Sequence, residues 1–311
     1  MALQKLQNGT AFKAAPNLLY FVQRLLVQKR LRNWVATGLA TLIRLRRGSV
    51  ADVGAPTAAD RHALVSLARF GYAPLRTLLD AQQVADIHAY LKDKMLVDRD
   101  NSASHFPFDA VPAGVGIADY LRSDILDCPH LLELANSPQL LRLAGDYIGC
   151  IPTISALLLR WSFPCDTPAA GLQAFHRDSD DWRFVKIFVY LTDVDDSAGP
   201  HVYVRGSHHT SATMRLKSFS DDAVERRYGP DMLTVVTGPA GFGFAADTYG
   251  VHKGRVPTQR PRLLLQIQYS LLPVYAYDYA PQLYEGPLLL DRYINRLMLK
   301  VAAKAKVRQP A

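Results

Sequence analysis

The run Arg183-Phe184-Val185-Lys186-Ile187-Phe188-Val189-Tyr190-Leu191-Thr192 is followed, after Ser197-Ala198-Gly199-Pro200, by His201-Val202-Tyr203-Val204-Arg205 and a further turn at Gly206-Ser207. Both runs are rich in β-branched and aromatic residues, and the turn between them leaves no room for a helix. The same texture extends outward. Strands are expected over 154–163, 233–237, 242–246 and 263–272, bounded by Gly238-Pro239-Ala240-Gly241 and Thr258-Gln259-Arg260-Pro261. Short strands joined by turns rather than helices predict an antiparallel sandwich or barrel, with its core over about residues 153–275.

Helices flank this β region. Residues 58–70 and 80–95 carry helical periodicity, and Asp80-Ala81-Gln82-Gln83 has the form of a capping box. A helical stretch over 131–143 is interrupted at Ser137-Pro138, and 98–119, rich in Gly, Pro, Asp and Ser, reads as a long loop. A last helix is expected over 287–306. It would gather Leu290, Tyr293, Ile294, Leu297, Met298 and Val301 on one face and Arg292, Arg296, Lys300 and Lys304 on the other.

Apolar residues make up 49% of the 311 and charged residues 21%, which excludes a disordered chain, a collagen-like fibre and a polytopic membrane protein. Three cysteines, Cys128, Cys150 and Cys165, match no disulfide or zinc framework. Free thiols in a reducing, cytoplasmic compartment are expected.

The net charge of +8 is unevenly placed. Residues 1–51 hold nine basic side chains and no acidic one, which leaves the rest of the chain at −1. Apolar side chains are interleaved with these bases (Leu18, Tyr20, Leu25, Leu31, Trp34, Leu39, Leu42, Leu45), and the longest uncharged stretch, 33–43, is eleven residues. A spanning helix needs about 20, so the segment is not transmembrane. It reads as a helical segment over 1–50 that meets an anionic membrane surface, packs on the main domain, or serves as an organellar targeting peptide. No basic patch with interleaved aromatics recurs in the body, so no nucleic-acid partner is expected. Gly48-Ser49-Val50-Ala51-Asp52-Val53-Gly54-Ala55-Pro56 reads as a linker, which sets a second domain over 56–311.

Chemistry concentrates in Gln173-Ala174-Phe175-His176-Arg177-Asp178. On an extended strand His176 and Asp178 point to the same side, so an imidazole and a carboxylate can share one metal ion. A third ligand would complete a two-His, one-carboxylate facial triad with open positions. A surface His–Asp pair is the alternative for this motif taken alone. Downstream lie Val251-His252-Lys253-Gly254 and the strand Arg262-Leu263-Leu264-Leu265-Gln266-Ile267-Gln268-Tyr269. Its alternation puts Arg262, Leu264, Gln266 and Gln268 on one face and Leu263, Leu265, Ile267 and Tyr269 on the other. If the first face is interior, Arg262 must meet an anion.

Taken in order, Phe175-His176-Arg177-Asp178, Lys186-Ile187-Phe188-Val189-Tyr190-Leu191-Thr192-Asp193-Val194, Gly199-Pro200-His201-Val202-Tyr203-Val204 and Gly206-Ser207-His208 resemble the phytanoyl-CoA dioxygenase family, over roughly residues 60–275. The resemblance implies a double-stranded β-helix (jelly-roll) core, mainly β with flanking α-helices. It also implies an iron(II)- and 2-oxoglutarate-dependent dioxygenase. His176, Asp178 and His252 would be the iron ligands, Arg262 the partner of the distal 2-oxoglutarate carboxylate and Gln173 a further contact to it. Arg260 is the rival to Arg262, but it precedes Pro261 in a turn. His208 and His209 belong to a turn that supplies no ligand in this family, and His201 is expected to be a strand residue with a satisfied ring. Because Asp178 keeps the carboxylate that related halogenases lack, hydroxylation is implied, with O2 and 2-oxoglutarate consumed and succinate and carbon dioxide released.

For the substrate, residues 1–50 are the only handle. They suggest a small-molecule or lipid-linked compound at a membrane surface, such as a Kdo-bearing glycolipid or an acyl derivative, and an enzyme peripheral to the inner membrane. Arg160, Arg177 and the 98–119 loop are candidates to meet an anionic headgroup, although Arg160 could instead pair with Asp180 or Asp181. A catalytically inactive jelly-roll that binds a ligand and a membrane-surface scaffold are the alternatives.

Overall fold

The computed structural model describes residues 20, 22–26, 28–48, 57–166, 171–210 and 218–301. The linker over 49–56 and the end of the expected C-terminal helix from 302 onward lie outside them, as does much of 1–27.

Helix α1 (Lys29–Arg47) is followed by α2 (Ala58–Phe70), β1 (Tyr72–Thr77) and α3 (Ala81–Leu91). Thr57 and Asp60 form a capping box on α2, and the expected one between Asp80 and Gln83 is present on α3, with Gln83 N donating to Asp80 Oδ1 at 2.9 Å. Each cap satisfies donors that the first helical turn leaves free. Then come β2 (Leu96–Asp98), β3 (His105–Phe106), β4 (Ile117–Tyr120), α4 (Arg122–Asp127), α5 (Leu131–Ala135) and α6 (Pro138–Ile148). Ser137 caps α6 and Pro138 occupies its first turn. The interruption read at Ser137-Pro138 is therefore one helix ending and another starting.

The β region contains β5 (Thr153–Ser162), β6 (Phe184–Tyr190), β7 (His201–Val204), α7 (Asp221–Tyr228), β8 (Leu233–Val236), β9 (Phe242–Ala246), β10 (His252–Gly254) and β11 (Arg262–Ser270). Eight strands form the major sheet in the order β1-β9-β6-β11-β5-β4-β2-β3, and a smaller sheet runs β10-β7-β8. Every pairing in these two sheets is antiparallel. The two sheets make the expected jelly-roll.

The alternation in β11 sorts its side chains as the sequence requires. Leu263, Leu265, Ile267 and Tyr269 join Leu157, Leu159, Val185, Ile187 and Val189 in the main core, against Leu140, Leu143 and Ile148 of α6. Each of these large apolar side chains contributes about 1.5–3 kcal/mol when fully buried. Leu264 faces the other way, into a second cluster with Phe188, Tyr190, Phe244 and Tyr203 between the two sheets.

Two expectations need correction. The 98–119 stretch is not one loop: β3, a short 3-10 turn at Phe108–Ala110 and the start of β4 lie within it, and Phe108 packs 4.5 Å from the Trp161 ring. The helix over 287–306 is also wrong within the described residues. Only α8 (Arg292–Asn295) is helical, capped by Asp291, and β13 (Leu299–Val301) pairs in parallel with β12 (Gln282–Tyr284). The apolar spacing read as a helical face belongs to one helical turn followed by a strand.

Helix α1 packs on the domain through Arg32, Ala36 and Ala40, and Arg32 is only 1% exposed. Its guanidinium donates to the carbonyls of Gln23 and Asp181 and lies over the Trp182 and Tyr249 rings. Among the described residues no helix is long and apolar enough to cross a membrane.

Candidate active site

His176 and His252 sit opposite each other in a two-bond antiparallel bridge: His176 N donates to His252 O at 2.9 Å and His252 N to His176 O at 3.0 Å. This bridge extends the small sheet by one more extended segment and brings together residues 76 positions apart in the chain. The ring centroids are 4.3 Å apart. Each ring uses Nδ1 on the carbonyl two residues earlier, His176 on Ala174 O at 2.9 Å and His252 on Gly250 O at 3.0 Å. A carbonyl can only accept, so Nδ1 carries the proton in both rings and Nε2 presents a lone pair. Asp178 lies between them, Oδ1 at 3.7 Å from His176 Nε2 and Oδ2 at 3.5 Å from His252 Nε2. One ligand atom from each of the three residues lies within 4.8 Å of the others. Bonds of about 2.1 Å to a common ion place facial donors roughly 3 Å apart, so the two imidazole–carboxylate pairs need to close by only about 0.5–0.7 Å to hold a cation.

Electrostatics fit the same use. Burial, then the nearby His252, push His176 down to about 4, so the ring is neutral at ordinary pH. Burial alone would raise Asp178, but the Lys186 ammonium holds its carboxyl well below the usual range. Lys186 Nζ donates to Asp178 Oδ2 at 2.7 Å and lies 3.2 Å from Asp180 Oδ2. This lysine was not singled out from the sequence. Its signal was a charged residue at a central position of a Phe/Val/Ile strand, which can be buried only beside an anion.

A cavity of about 500 Å³ opens beside the triad, and Gln173, His201 and Arg262 also line it. Arg262 is 4% exposed, and burial lowers its affinity for the proton. Only Nη2 has a partner, Ser162 Oγ at 3.2 Å, while Nε and Nη1 have none. Gly254 on β10 makes room for this side chain, since a Cβ there would come within 2.9 Å of Arg262 Nη2. Gln173 Nε2, His176 Nε2 and His201 Nε2 are likewise buried without a partner. Buried polar atoms are rarely left so. Four neighbouring residues with this deficit mark a place that a metal and a polar ligand would complete.

The other candidates go elsewhere. Arg260 pairs with Asp195 at the surface, away from the cavity. His208 and His209 bond the Ala68 and Arg69 carbonyls through Nε2. The satisfied ring expected for His201 is a correction: it packs against Phe188, Phe244 and His252, its Nε2 is unbonded, and burial keeps it neutral. Arg160 pairs with neither Asp180 nor Asp181. It grips Asp119 on the neighbouring strand through two bonds of 2.6 and 2.8 Å. Arg177 is held by the Ser207 and Tyr249 carbonyls.

Comparison with known proteins bears on this architecture. The epimerase SnoN from nogalamycin biosynthesis, a non-haem α-ketoglutarate-dependent enzyme, is 22% identical, with a TM-score of 0.52 over 68% of this chain and 83% of its own. HygX from Streptomyces hygroscopicus, crystallised with nickel, 2-oxoglutarate and hygromycin B, is 17% identical, with a TM-score of 0.50 over 74% of this chain and 92% of its own. At such identities these likenesses speak for the fold alone. No curated protein sequence matches the chain. The sequence profile described as Phytanoyl-CoA dioxygenase (PhyH) matches residues 67–242, more than half of the chain, and that span contains Gln173, His176 and Asp178. His252 and Arg262 lie beyond its end and are tied to the others by the bridge between β10 and residue 176 and by the register of β11. This chain belongs to the phytanoyl-CoA dioxygenase family, the iron- and 2-oxoglutarate-dependent oxygenases.

Proposed function

We propose that residues 56–311 form a dioxygenase domain that hydroxylates a C–H bond of an organic substrate, using iron(II) and 2-oxoglutarate. One observation carries this reading. Both imidazoles spend Nδ1 on a backbone carbonyl and turn Nε2 towards one buried carboxylate. His176, Asp178 and His252 would hold the iron, which would supply oxygen activation when bound. Lys186 positions Asp178 by occupying one lone pair of Oδ2. Arg262, supported by Ser162, would bind the far carboxylate of 2-oxoglutarate, with Gln173 and His201 as further donors to the same molecule.

The cavity wall away from the triad supports an anionic substrate. Arg99 lines it, and its nearest carboxylate, Asp119 at 3.9 Å, already gives both oxygens to Arg160. Burial and the neighbouring Arg160 push Arg99 down to about 10, the condition of a guanidinium short of counter-charge. A lipid-linked sugar acid, such as a Kdo-bearing glycolipid, or an acyl derivative with a charged end meets that requirement.

The test is succinate formation by the full-length protein with iron(II), 2-oxoglutarate and a panel of acidic glycolipids, acyl derivatives and small polar acids. Iron-dependent turnover with a hydroxylated product is expected. Failure to bind 2-oxoglutarate in the presence of Mn(II) would end the reading.

A further inference from the structure

Among the described residues, one side of helix α1 is packed on the domain and the other carries an apolar row with no partner. Arg32, Ala36 and Ala40 are pressed against the domain. Leu31, Trp34, Val35, Leu42 and Leu45 are all exposed, Trp34 by 82% and Leu45 by 77%. At 100° per residue these five fall within an arc of roughly 100°, a row along the helix interrupted at Gly38. Scattered apolar residues at a surface need no explanation, but an aligned row with a tryptophan does.

Contacts of α1 and of the segment preceding it prevent the helix from rolling over to hide the stripe. Arg32 is bonded to the Asp181 carbonyl, Gln23 Nε2 to the Asp180 carbonyl, and Arg24 Nε to Ser179 Oγ at 2.7 Å. Lys29 lies over the Tyr249 ring, at 4.2 Å from its centroid. These contacts take Arg24, Lys29 and Arg32 out of the set that could meet a partner.

Other bases stay available. Arg30 and Arg44 lie on one side of the stripe and Arg46 on the other, all three exposed. Residues 1–51 contain no acidic side chain to neutralise them. An apolar row with tryptophan, flanked on both sides by arginines and free of acids, is complementary to an anionic bilayer: rings and aliphatic chains enter the acyl boundary while guanidinium groups meet phosphates.

We infer that the outer stripe of α1 docks this protein on an anionic lipid surface, with the helix lying in the plane of the interface. The inference deepens the proposed function by naming where a lipid-borne substrate would be met, and it rests on that function only for the substrate.

The experiment is co-sedimentation of full-length protein with vesicles of phosphatidylglycerol and phosphatidylcholine against phosphatidylcholine alone, with bromine-labelled lipid to quench tryptophan. Binding to the anionic vesicles, weakened by salt, and quenching that disappears in Trp34→Phe are expected. The double variant Leu42→Glu, Leu45→Glu touches no packed face and should keep its melting temperature. Its partition coefficient should fall by about tenfold or more. Equal binding to both vesicles, no binding by the wild type, or unchanged binding by the double variant would each overturn the inference. So would a dimer that the double variant abolishes while vesicles are ignored, since a second copy would then cover the stripe. Docking without iron-dependent 2-oxoglutarate turnover would leave the inference standing and sink the catalytic reading instead.

Discussion

The two faces of β11 make opposite use of burial. Leu263, Leu265, Ile267 and Tyr269 meet apolar partners, and the Tyr269 hydroxyl, the one polar group among them, donates to Ala135 O at 2.6 Å. On the other face Arg262 is equally buried, yet two of its nitrogens have no partner, and Gln268 leaves both of its side-chain polar atoms unbonded. Leaving such a group unmade costs about 1–3 kcal/mol. One face is built for stability and the other tolerates a deficit. Of the two, Arg262 lines the cavity and Gln268 does not, so the deficit that points to a ligand is the one at Arg262, and the comparison can be broken by substitutions that treat the two faces alike.

The largest expected effect is at the triad, where the proposed function puts the metal. His176→Ala and His252→Ala should each abolish iron-dependent 2-oxoglutarate turnover and weaken Mn(II) binding, measured by calorimetry, by more than about a hundredfold, the upper range for damage even to groups that merely support ligands. Neither should unfold the protein, since each keeps the backbone bridge between residues 176 and 252 and gives up a ring–carbonyl bond from Nδ1. Retained metal binding in either variant would move the metal site elsewhere.

Next comes the packed face. Leu265→Ala removes a fully buried side chain lying opposite Leu159 and Val189 on the neighbouring strands and should cost about 2–5 kcal/mol in chemical denaturation, with the Michaelis constant for 2-oxoglutarate unchanged in the folded fraction. Arg262→Leu should behave in the reverse way. Losing an unpaired buried cation costs little or even stabilises the cosubstrate-free protein, so its melting temperature should not fall. Its affinity for 2-oxoglutarate should drop by about 10- to 100-fold, and the thermal stabilisation given by 2-oxoglutarate with Mn(II) should vanish. A drop in stability as large as that of Leu265→Ala would mean that the two faces do not differ in kind.

How much of this was legible depends on whether a signal is local. The alternation in β11 could be read because period-two patterning survives burial on both sides, and one charged residue among leucines fixed which face was polar. The His176–Asp178 pair was readable for the same reason, two residues apart on an extended segment. The strand carrying His252 is only three residues long, too short for any pattern, so its place beside His176 and Asp178 as a ligand had to come from family resemblance. The C-terminal helix failed because spacings of three and four residues also arise from one helical turn followed by a strand, and what selects the strand is the distant partner over Gln282–Tyr284. Satisfaction of a ring is wholly tertiary. Nothing in Gly199-Pro200-His201 foretold that the imidazole would stack on His252, opposite Gly254 in the register and beside Arg262, with Nε2 left over.

The smallest effects set His201 against His209, which sits only eight residues later. His201 is 4% exposed and unbonded at Nε2, whereas His209 is exposed and uses Nε2 on the Arg69 carbonyl at 3.1 Å. His201→Leu removes a donor that no protein atom accepts and replaces it with a side chain suited to Phe188 and Phe244 around it. It should therefore keep or raise the melting temperature while weakening 2-oxoglutarate binding by about tenfold, the worth of one hydrogen bond to a charged ligand, and His201→Asn should recover part of that loss. His209→Ala gives up a solvent-screened bond outside the cavity, so 2-oxoglutarate affinity and turnover should change by less than about twofold, with stability lowered by about 0.5–1 kcal/mol at most. If His209→Ala weakened the cosubstrate as much as His201→Leu, burial without a partner inside the cavity would not be what separates ligand-directed groups from structural ones here, and the reading of Arg262 and Gln173 would fall with it.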